Sequence, residues 1–241
     1  MDPKEKIIFA LDVDHFEEAQ KLVMEFKDHV GMFKVGKQLF THCGPKIVDF
    51  INMKSSRVFL DLKYHDIPNT VAKAVIEAAK LGVELVNVHA SGGFTMMKEA
   101  RAALNKAVHT QGLHKPKIIG VTVLTSLDGE ELKRIGFEMP VIELTKRLTL
   151  LVKEAGLDGV VAGGGEIEMI RETCGKDFII VTPGVRIDGK KDDQKRTITP
   201  KEAIEKGATY IVLGRAVRDS ANPQDLLRAI CKDIKDAASH Q

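Results

Sequence analysis

Short runs of apolar residues recur along the chain, separated by longer segments in which apolar residues repeat every three or four positions. Most of the runs are continuously apolar rather than alternating, which is typical of strands covered on both faces in a parallel sheet. We predict eight strands: Ile7–Leu11, Met32–Val35, Val58–Leu62, Leu85–His89, Lys117–Leu124, Gly159–Ala162, Phe178–Thr182 and Tyr210–Leu213.

Helix signals occupy the segments between the predicted strands. An apolar stripe of helical period covers residues 16–26, and Asp14 with Glu17 has the spacing of a capping box at its start. Thr199–Glu202 is a second capping box, with proline at the first helical position. The long connection between the fifth and sixth strands predicts an additional short helix, Asp128–Ile135.

Eight strand–helix units in a chain of 241 residues predict an α/β fold, the (β/α)8 TIM barrel. This length suits a barrel without a second domain, so we expect a single domain over residues 1–241. A doubly wound open sheet is the alternative, but no break in composition favours it. In a barrel, functional side chains are expected at the carboxyl ends of the strands.

Composition and charge narrow the class of protein. The formal net charge of +2 gives no overall field that would attract nucleic acid or an anionic membrane. Cys43, Cys174 and Cys231 form no CxxC pair, which argues against a disulfide framework and fits a reducing compartment. The first apolar run, Ile7–Leu11, is too short for a signal peptide or a membrane span. We therefore expect a cytoplasmic protein.

The segment 61–70, DLKYHDIPNT, carries an unusual charge pattern at the end of the third predicted strand. Asp61 and Lys63 are two residues apart, so their side chains point to the same face of a strand. Opposite charges at a strand end are costly to desolvate and need one another. Asp66 must lie in a turn, because Pro68 cannot continue a central strand.

Two more charged residues, Asp12 and Lys34, follow the first and second predicted strands. An ion-pair network that only locks a strand end is the structural alternative, and such networks also perturb pKa values. Five ionised groups converging at one barrel mouth are, however, expensive for structure alone. We therefore place the chemistry there.

Glycine and arginine follow the seventh and eighth predicted strands, as Gly184-Val185-Arg186 and Gly214-Arg215. The loops at these two positions of a barrel often bind phosphate through backbone N–H groups, and arginine adds a charge-assisted contact. The alternative for either loop alone is that its glycine only permits a turn and its arginine is exposed to solvent. The polar segment Ile187–Asp193 between them has the composition of a mobile lid or of a disordered surface loop.

Common cofactor and metal motifs do not occur in the sequence. Gly163–Gly165 does not satisfy GxGxxG, because Glu168 occupies the third position, and there is no Walker A or HExxH motif. A metal ion between Asp61 and Asp66 is disfavoured because Lys63 already supplies the positive charge. We expect no metal.

Together these segments resemble the orotidine 5′-monophosphate decarboxylase family. The signature DLKYHDIPNT is highly specific for that family, and the likeness runs through all eight strands in family order. The other segments that carry it are Phe9–Asp12, Phe33–Gly36, Val121–Ser126, Thr182–Arg186, Asp193–Arg196 and Leu213–Ala216.

The resemblance implies a homodimeric carboxy-lyase that converts orotidine 5′-monophosphate to UMP and CO₂ in de novo pyrimidine biosynthesis, without metal or cofactor. The implied catalytic residues are Lys34, Asp61, Lys63 and Asp66, with Asp66 and Thr70 reaching into the partner subunit's site. The implied substrate-binding residues are Asp12 and Lys34 for the ribose, Thr125 and Ser126 for the pyrimidine, and Arg186, Gln194, Gly214 and Arg215 for the phosphate.

Two other functions stay open. A magnesium-dependent phosphosugar lyase of the same superfamily resembles this chain in the Asp-x-Lys-x-x-Asp core but lacks the HDIPNT continuation. A non-catalytic barrel that binds pyrimidine nucleotides is the second alternative, although binding alone does not require Lys63 as a proton donor.

Overall fold

Eight parallel strands close into a barrel in the computed structural model, which describes residues 2–186 and 198–238. Each strand pairs with its neighbour in chain order, and the eighth pairs with the first. This topology confirms the predicted (β/α)8 barrel. The strands are β1 (Ile7–Ala10), β2 (Met32–Gly36), β3 (Arg57–Tyr64), β4 (Leu85–His89), β5 (Lys117–Val121), β6 (Gly159–Val161), β7 (Ile179–Thr182) and β8 (Tyr210–Leu213).

Helices connect the strands and cover the outside of the barrel. They are α1 (Phe16–Phe26), α2 (Lys37–Cys43), α3 (Lys46–Met53), α4 (Pro68–Lys80), α5 (Phe94–Gln111), α6 (Gly129–Arg134), α7 (Val141–Glu154), α8 (Ile167–Cys174), α9 (Pro200–Glu205), α10 (Arg215–Arg218) and α11 (Pro223–Ala238). The additional helix predicted between β5 and β6 is α6. The Asp128 side chain caps this helix by accepting hydrogen bonds from the backbone N–H groups of Glu130 and Glu131.

The two predicted capping boxes have different outcomes. At α9 the Thr199 hydroxyl and the Glu202 carboxylate bond each other's backbone N–H groups, which confirms the prediction. At α1 the prediction is wrong, because His15 is the N-cap and makes no side-chain cap bond. The Asp14 carboxylate instead accepts a bond from the Gln38 side chain, a tertiary partner that sequence spacing does not reveal.

Strand β5 is shorter than predicted and ends at Val121 rather than Leu124. The backbone N–H and the hydroxyl of Thr122 both donate to the Val161 carbonyl, at 3.2 and 2.8 Å, and the chain bends directly after this pair of bonds.

Alternate residues of the strands pack into two apolar layers. Outward side chains such as Phe9 and Leu60 join the large cluster beneath the helices. Inward side chains fill the lower barrel, and the fully buried members of that layer are Ile8, Met32, Phe59, Leu85, Ile119 and Val181. Residues two positions further along a strand share its inward face. Lys34, Asp61 and Asn87 therefore lie above this apolar layer, at the mouth.

Within the described ranges, no helix is both long enough and apolar enough to cross a membrane.

Candidate active site

A cavity of about 270 Å³ opens at the carboxyl ends of the strands, where the sequence predicts function. Its floor and walls include apolar side chains, among them Phe59 and Val181. Its lining also contains most of the predicted site residues: Asp12, Lys34, Asp61, Lys63, Thr125, Arg186, Gly214 and Arg215. One cavity thus joins the charged strand ends to the two glycine–arginine loops.

Four side chains form a row of alternating charge across the ends of β1, β2 and β3. The Lys34 ammonium lies 2.8 Å from Asp12 Oδ1 and 3.5 Å from Asp61 Oδ2, and the Lys63 ammonium lies 2.6 Å from Asp61 Oδ1. We call these four residues the charged quartet. Gly36 leaves room for it, because a Cβ there would lie only 3.2 Å from Lys34 Nζ.

Lys34 is the most enclosed cation of the charged quartet, with a side chain 12% exposed. Burial by itself lowers the pKa of a lysine, but the Asp61 and Asp12 carboxylates outweigh that effect and raise the pKa of Lys34 above 10.5. Lys34 therefore remains an ammonium at neutral pH and bridges the two carboxylates.

The backbone at Lys63 departs from an ordinary strand. Its φ of +52° lies in the left-handed region, which costs a non-glycine residue on the order of 1 kcal/mol. The pairing of β3 with β4 shifts here: Leu60 faces Val86, whereas Tyr64 faces Val88. Lys63 therefore sits on a β-bulge, a feature that re-aims side chains beside functional sites.

Asn87 is the principal residue that the sequence analysis missed. It is fully buried in the middle of β4. Its side-chain amide donates to Asp61 Oδ1 at 2.6 Å, and its carbonyl oxygen accepts the backbone N–H of Lys63 at 2.8 Å. An amide inside the apolar run from Leu85 to His89, in register with the inward face, was the available signal.

The loops after β7 and β8 form the other part of the cavity. Gly184 has a φ of +75°, and its loop is held at Val185, which pairs with Ile198 in an isolated parallel bridge. Gly214 precedes α10, and a Cβ at this position would lie 3.9 Å from Asp12 Oδ2. The glycine–arginine loop after β8 therefore adjoins the charged quartet at Asp12.

Arg218, on α10, ties this loop to the end of β1. Its guanidinium donates to the Asp12 backbone carbonyl at 2.8 Å and to the Asp219 carboxylate at 2.7 Å. The Asp219 hydrogen bond raises the pKa of Arg218, so the Arg218 guanidinium stays positively charged. Sequence reasoning did not single out Arg218, because its partner is a backbone atom far away in the chain.

Three predicted site residues lie outside the cavity lining. Asp66 is exposed, and its carboxylate accepts the backbone N–H of Ile67 at 2.6 Å. Thr70 is exposed in the first turn of α4, and Ser126 is exposed in the turn after β5. A fourth, Gln194, lies outside the described residues, as does the predicted lid, Ile187–Asp193.

Two histidines stand beside the charged quartet at the ends of β3 and β4. The rings of His65 and His89 have their centroids 5.5 Å apart. Burial, aided by the nearby charges of His65 and Lys37, lowers the pKa of His89 to about 4. His89 is therefore a neutral imidazole at physiological pH.

Comparison with known proteins adds an independent finding to this geometry. The model of the orotidine 5′-phosphate decarboxylase / HUMPS family matches residues 5–230. The chain belongs to this family. It is 51% identical over 230 residues to the orotidine 5′-phosphate decarboxylase of Geobacter sp. (strain M21), covering 95% of each chain. It is 49% identical over 234 residues to the enzyme of that name from Geotalea daltonii, covering 97% of each.

A solved structure agrees with the same assignment. The crystal structure of orotidine 5′-phosphate decarboxylase from Lactobacillus acidophilus matches with a TM-score of 0.83 and 35% identity, covering 95% of this chain and 98% of that one. The fold and the family of the chain therefore rest on sequence and on structure alike.

The chemical capacity of this member of the orotidine 5′-phosphate decarboxylase / HUMPS family follows from the charged quartet. Over residues 2–186 and 198–238, no group of three or more His, Cys, Asp or Glu side chains is placed to hold a metal ion. The ammonium of Lys63, with its side chain 25% exposed, can stabilise a developing negative charge and deliver a proton. Asp61 can repel a second carboxylate brought beside it.

Proposed function

We propose that this protein decarboxylates orotidine 5′-monophosphate to UMP and CO₂ in pyrimidine biosynthesis, without metal or cofactor. The observation that carries the proposal is the order of groups around the barrel. The glycine–arginine loop after β8 adjoins Asp12, Asp12 pairs with Lys34, and Lys34 adjoins the Asp61–Lys63 pair. This order matches a nucleotide whose phosphate, ribose and base follow one another. Both curated relatives described above are named for the decarboxylase, which favours it over a phosphosugar lyase.

The reacting end of the substrate belongs beside Asp61 and Lys63. Loss of CO₂ leaves an electron pair on carbon 6 of the pyrimidine, with no adjacent group to delocalise it. The Lys63 ammonium stabilises that charge through space and then transfers its proton to the carbon. The Asp61 carboxylate faces the substrate carboxylate, and their repulsion is relieved as neutral CO₂ departs.

The remaining site residues hold the nucleotide in place. Asp12 and Lys34 bind the ribose hydroxyls, and Thr125 and Ser126 contact the pyrimidine. The phosphate is bound by Arg186, Gln194, Gly214 and Arg215. Since the phosphate is remote from carbon 6, its binding energy contributes by positioning the base rather than by acting on the bond that breaks.

The functional form in this proposal is a homodimer in which Asp66 and Thr70 complete the partner subunit's site. Its support is the surface after β3, where Asp66, Thr70 and the apolar Ile67 are all exposed, Ile67 by 66%. A charged and a hydroxyl side chain beside an exposed isoleucine fit an interface with a second copy of the chain.

The test is the ultraviolet absorbance of orotidine 5′-monophosphate mixed with the purified protein in excess EDTA. We expect conversion to UMP by the wild type and its loss in Lys63→Ala, with UMP binding by that variant retained. Turnover of a phosphosugar that depends on added magnesium, without decarboxylation, would assign the chain to the lyase branch. UMP binding by the wild type without turnover in either assay would favour a non-catalytic barrel. Turnover by Lys63→Ala at the wild-type rate would show that Lys63 is not the proton donor.

A further inference from the structure

Asn87 is a fully buried polar residue that none of the roles above uses. Its neighbours along β4, Val86 and Val88, are fully buried apolar residues, and Leu85 below it belongs to the inner apolar layer. A buried amide costs free energy unless both of its ends are hydrogen-bonded. Both ends of Asn87 are satisfied, and both of its partners belong to the catalytic strand β3.

We propose that Asn87 is a positioning residue that holds the Asp61 carboxylate and the Lys63 backbone in their catalytic arrangement. This inference rests on the proposed function, because it assigns a role in the decarboxylation. Asn87 itself does not line the cavity, so it acts through its two neighbours rather than on the substrate.

The first effect of Asn87 is on the carboxylate. Asp61 Oδ1 accepts bonds from both the Asn87 amide and the Lys63 ammonium, each at 2.6 Å. Asp61 Oδ2 is then directed towards Lys34, at 3.5 Å. With one oxygen fixed by two donors, the carboxylate is not free to rotate about its terminal torsion, so its negative charge keeps one orientation.

The second effect of Asn87 is on the bulge. The register of β3 against β4 shifts between Leu60 and Tyr64, so the regular backbone ladder is interrupted at Lys63. There the side-chain carbonyl oxygen of Asn87 accepts the Lys63 backbone N–H at 2.8 Å. This bond stabilises the positive φ of Lys63, and the backbone conformation decides where its ammonium points.

A primary amide meets both requirements at this site. The partner on Asp61 is an acceptor and the partner on Lys63 is a donor, so the residue must donate at one end and accept at the other. Aspartate has nearly the same shape as asparagine but would bring a second carboxylate against Asp61. Leucine would leave the Lys63 backbone N–H without the bond to Asn87 and would remove one of the two donors to Asp61 Oδ1.

The experiment compares Asn87→Ala, Asn87→Ser and Asn87→Asp with the wild type in decarboxylation and in UMP binding. A misplaced catalytic group costs on the order of a hundredfold in rate, so we expect kcat to fall about that much in Asn87→Ala. The phosphate and ribose contacts lie elsewhere, so KM and the Kd for UMP are expected to change less than about threefold. Asn87→Asp is expected to lose at least as much in kcat as Asn87→Ala.

A matched control is Thr122→Val, which removes another buried side-chain hydrogen bond at the end of a neighbouring strand. It tests whether any such loss lowers kcat through general loosening of the barrel. We expect its thermal midpoint to fall as in Asn87→Ser while its kcat stays near that of the wild type. Equal losses of kcat in Thr122→Val and Asn87→Ser would overturn the proposal.

A second readout measures proton transfer by the Lys63 ammonium separately from the loss of CO₂. The group that protonates carbon 6 also removes that proton in reverse, so the wild type should exchange the C6 hydrogen of UMP for deuterium in D₂O. We expect this exchange, followed by NMR, to slow in the Asn87 variants in proportion to kcat. Unchanged kcat and exchange in a folded Asn87→Ser, alongside an active wild type, would refute the role of Asn87. An inactive wild type would instead refute the proposed function.

Discussion

Lys63 combines a long, charged side chain with a backbone φ of +52°, two properties that rarely occur together. Alternation along a strand predicts that Asp61 and Lys63 share a face, and their side chains do meet. They meet, however, on a bulge that alternation does not describe, and Asn87 from the next strand supports it. That support depends on the register between two neighbouring strands, so the sequence signal for Asn87 was only one polar residue in an apolar run.

The backbone strain at Lys63 can be measured as a difference in the free energy of unfolding between two variants. Lys63→Gly and Lys63→Ala both remove the ammonium, but only glycine adopts a positive φ without steric cost. We expect Lys63→Gly to have a free energy of unfolding about 1 kcal/mol above that of Lys63→Ala in urea denaturation. Ser55, with a φ of +57°, is a control outside the cavity lining, and its glycine and alanine variants should differ in the same sense. Equal stabilities of the two Lys63 variants would contradict the strain.

The neutral state of His89 predicts a pH dependence of stability. Its pKa is about 4 in the folded protein, below the ordinary value of 6.5, so the unfolded chain binds the extra proton between these pH values. The stabilisation is complete above pH 6.5 and is lost as the pH falls towards 4. Allowing for solvent screening of this half-buried ring, we expect a loss of about 1 to 2 kcal/mol.

Urea denaturation of His89→Gln across that pH range tests this dependence. We expect the variant to show a flatter decline in its free energy of unfolding, because glutamine does not titrate. His109→Gln, at an exposed position of α5, should retain the wild-type slope. A wild-type slope in His89→Gln would mean that other groups cause the acid sensitivity.

At the scale of elements, the sequence predicts the strands well because burial on both faces leaves continuous apolar runs. Helix starts are less predictable, because a capping residue can take a tertiary partner. Thr199 caps α9 as its spacing indicates, whereas Asp14 bonds to Gln38 on α2 and leaves α1 uncapped by a side chain. The link from Arg218 to the Asp12 carbonyl was unpredictable for the same reason, since it joins α10 to the first strand.

Arg215, the first residue of α10, is expected to make the site distinguish a nucleotide from a nucleoside. Arg215→Ala removes a charged donor from the cavity, and a hydrogen bond to a charged group contributes about 1.5 to 3 kcal/mol. We expect the Kd for UMP, measured by calorimetry, to rise by roughly ten- to a hundredfold, while affinity for uridine is unchanged. Arg228→Ala, which alters an exposed arginine on α11, is the control. Unchanged UMP affinity would remove Arg215 from the phosphate site.

At the scale of the whole molecule, one chain contains the charged quartet but leaves Asp66 and Thr70 outside its own cavity. The sequence of a single chain does not specify what covers an exposed segment. The cross-subunit roles proposed for Asp66 and Thr70 therefore come only from the family resemblance, whereas the barrel itself was predictable from the hydrophobic pattern.

Mixed dimers test whether Asp66 acts across an interface. When Lys63→Ala and Asp66→Asn subunits are co-expressed in equal amounts, half of the dimers are hybrids, and each hybrid has one intact shared site. We expect about one quarter of wild-type turnover, although each variant alone is nearly inactive. Co-expression of Lys63→Ala with Asp61→Asn is the control, because both residues serve the same site and no intact site forms. Turnover no higher than that of the parent variants would place Asp66 outside the partner's site.

The register shift in β3 also limits how this strand can change in evolution. From Leu60 to Tyr64 the chain advances four residues, while β4 advances two from Val86 to Val88, so β3 holds two extra residues. Because this number is even, the side chain beyond the shift keeps its face of the strand. Tyr64 again packs on the outer side with Val88. A single-residue insertion or deletion between Leu60 and Tyr64 would turn Tyr64, the last residue of the strand, to the opposite face. Length changes in this segment should therefore survive selection only in steps of two.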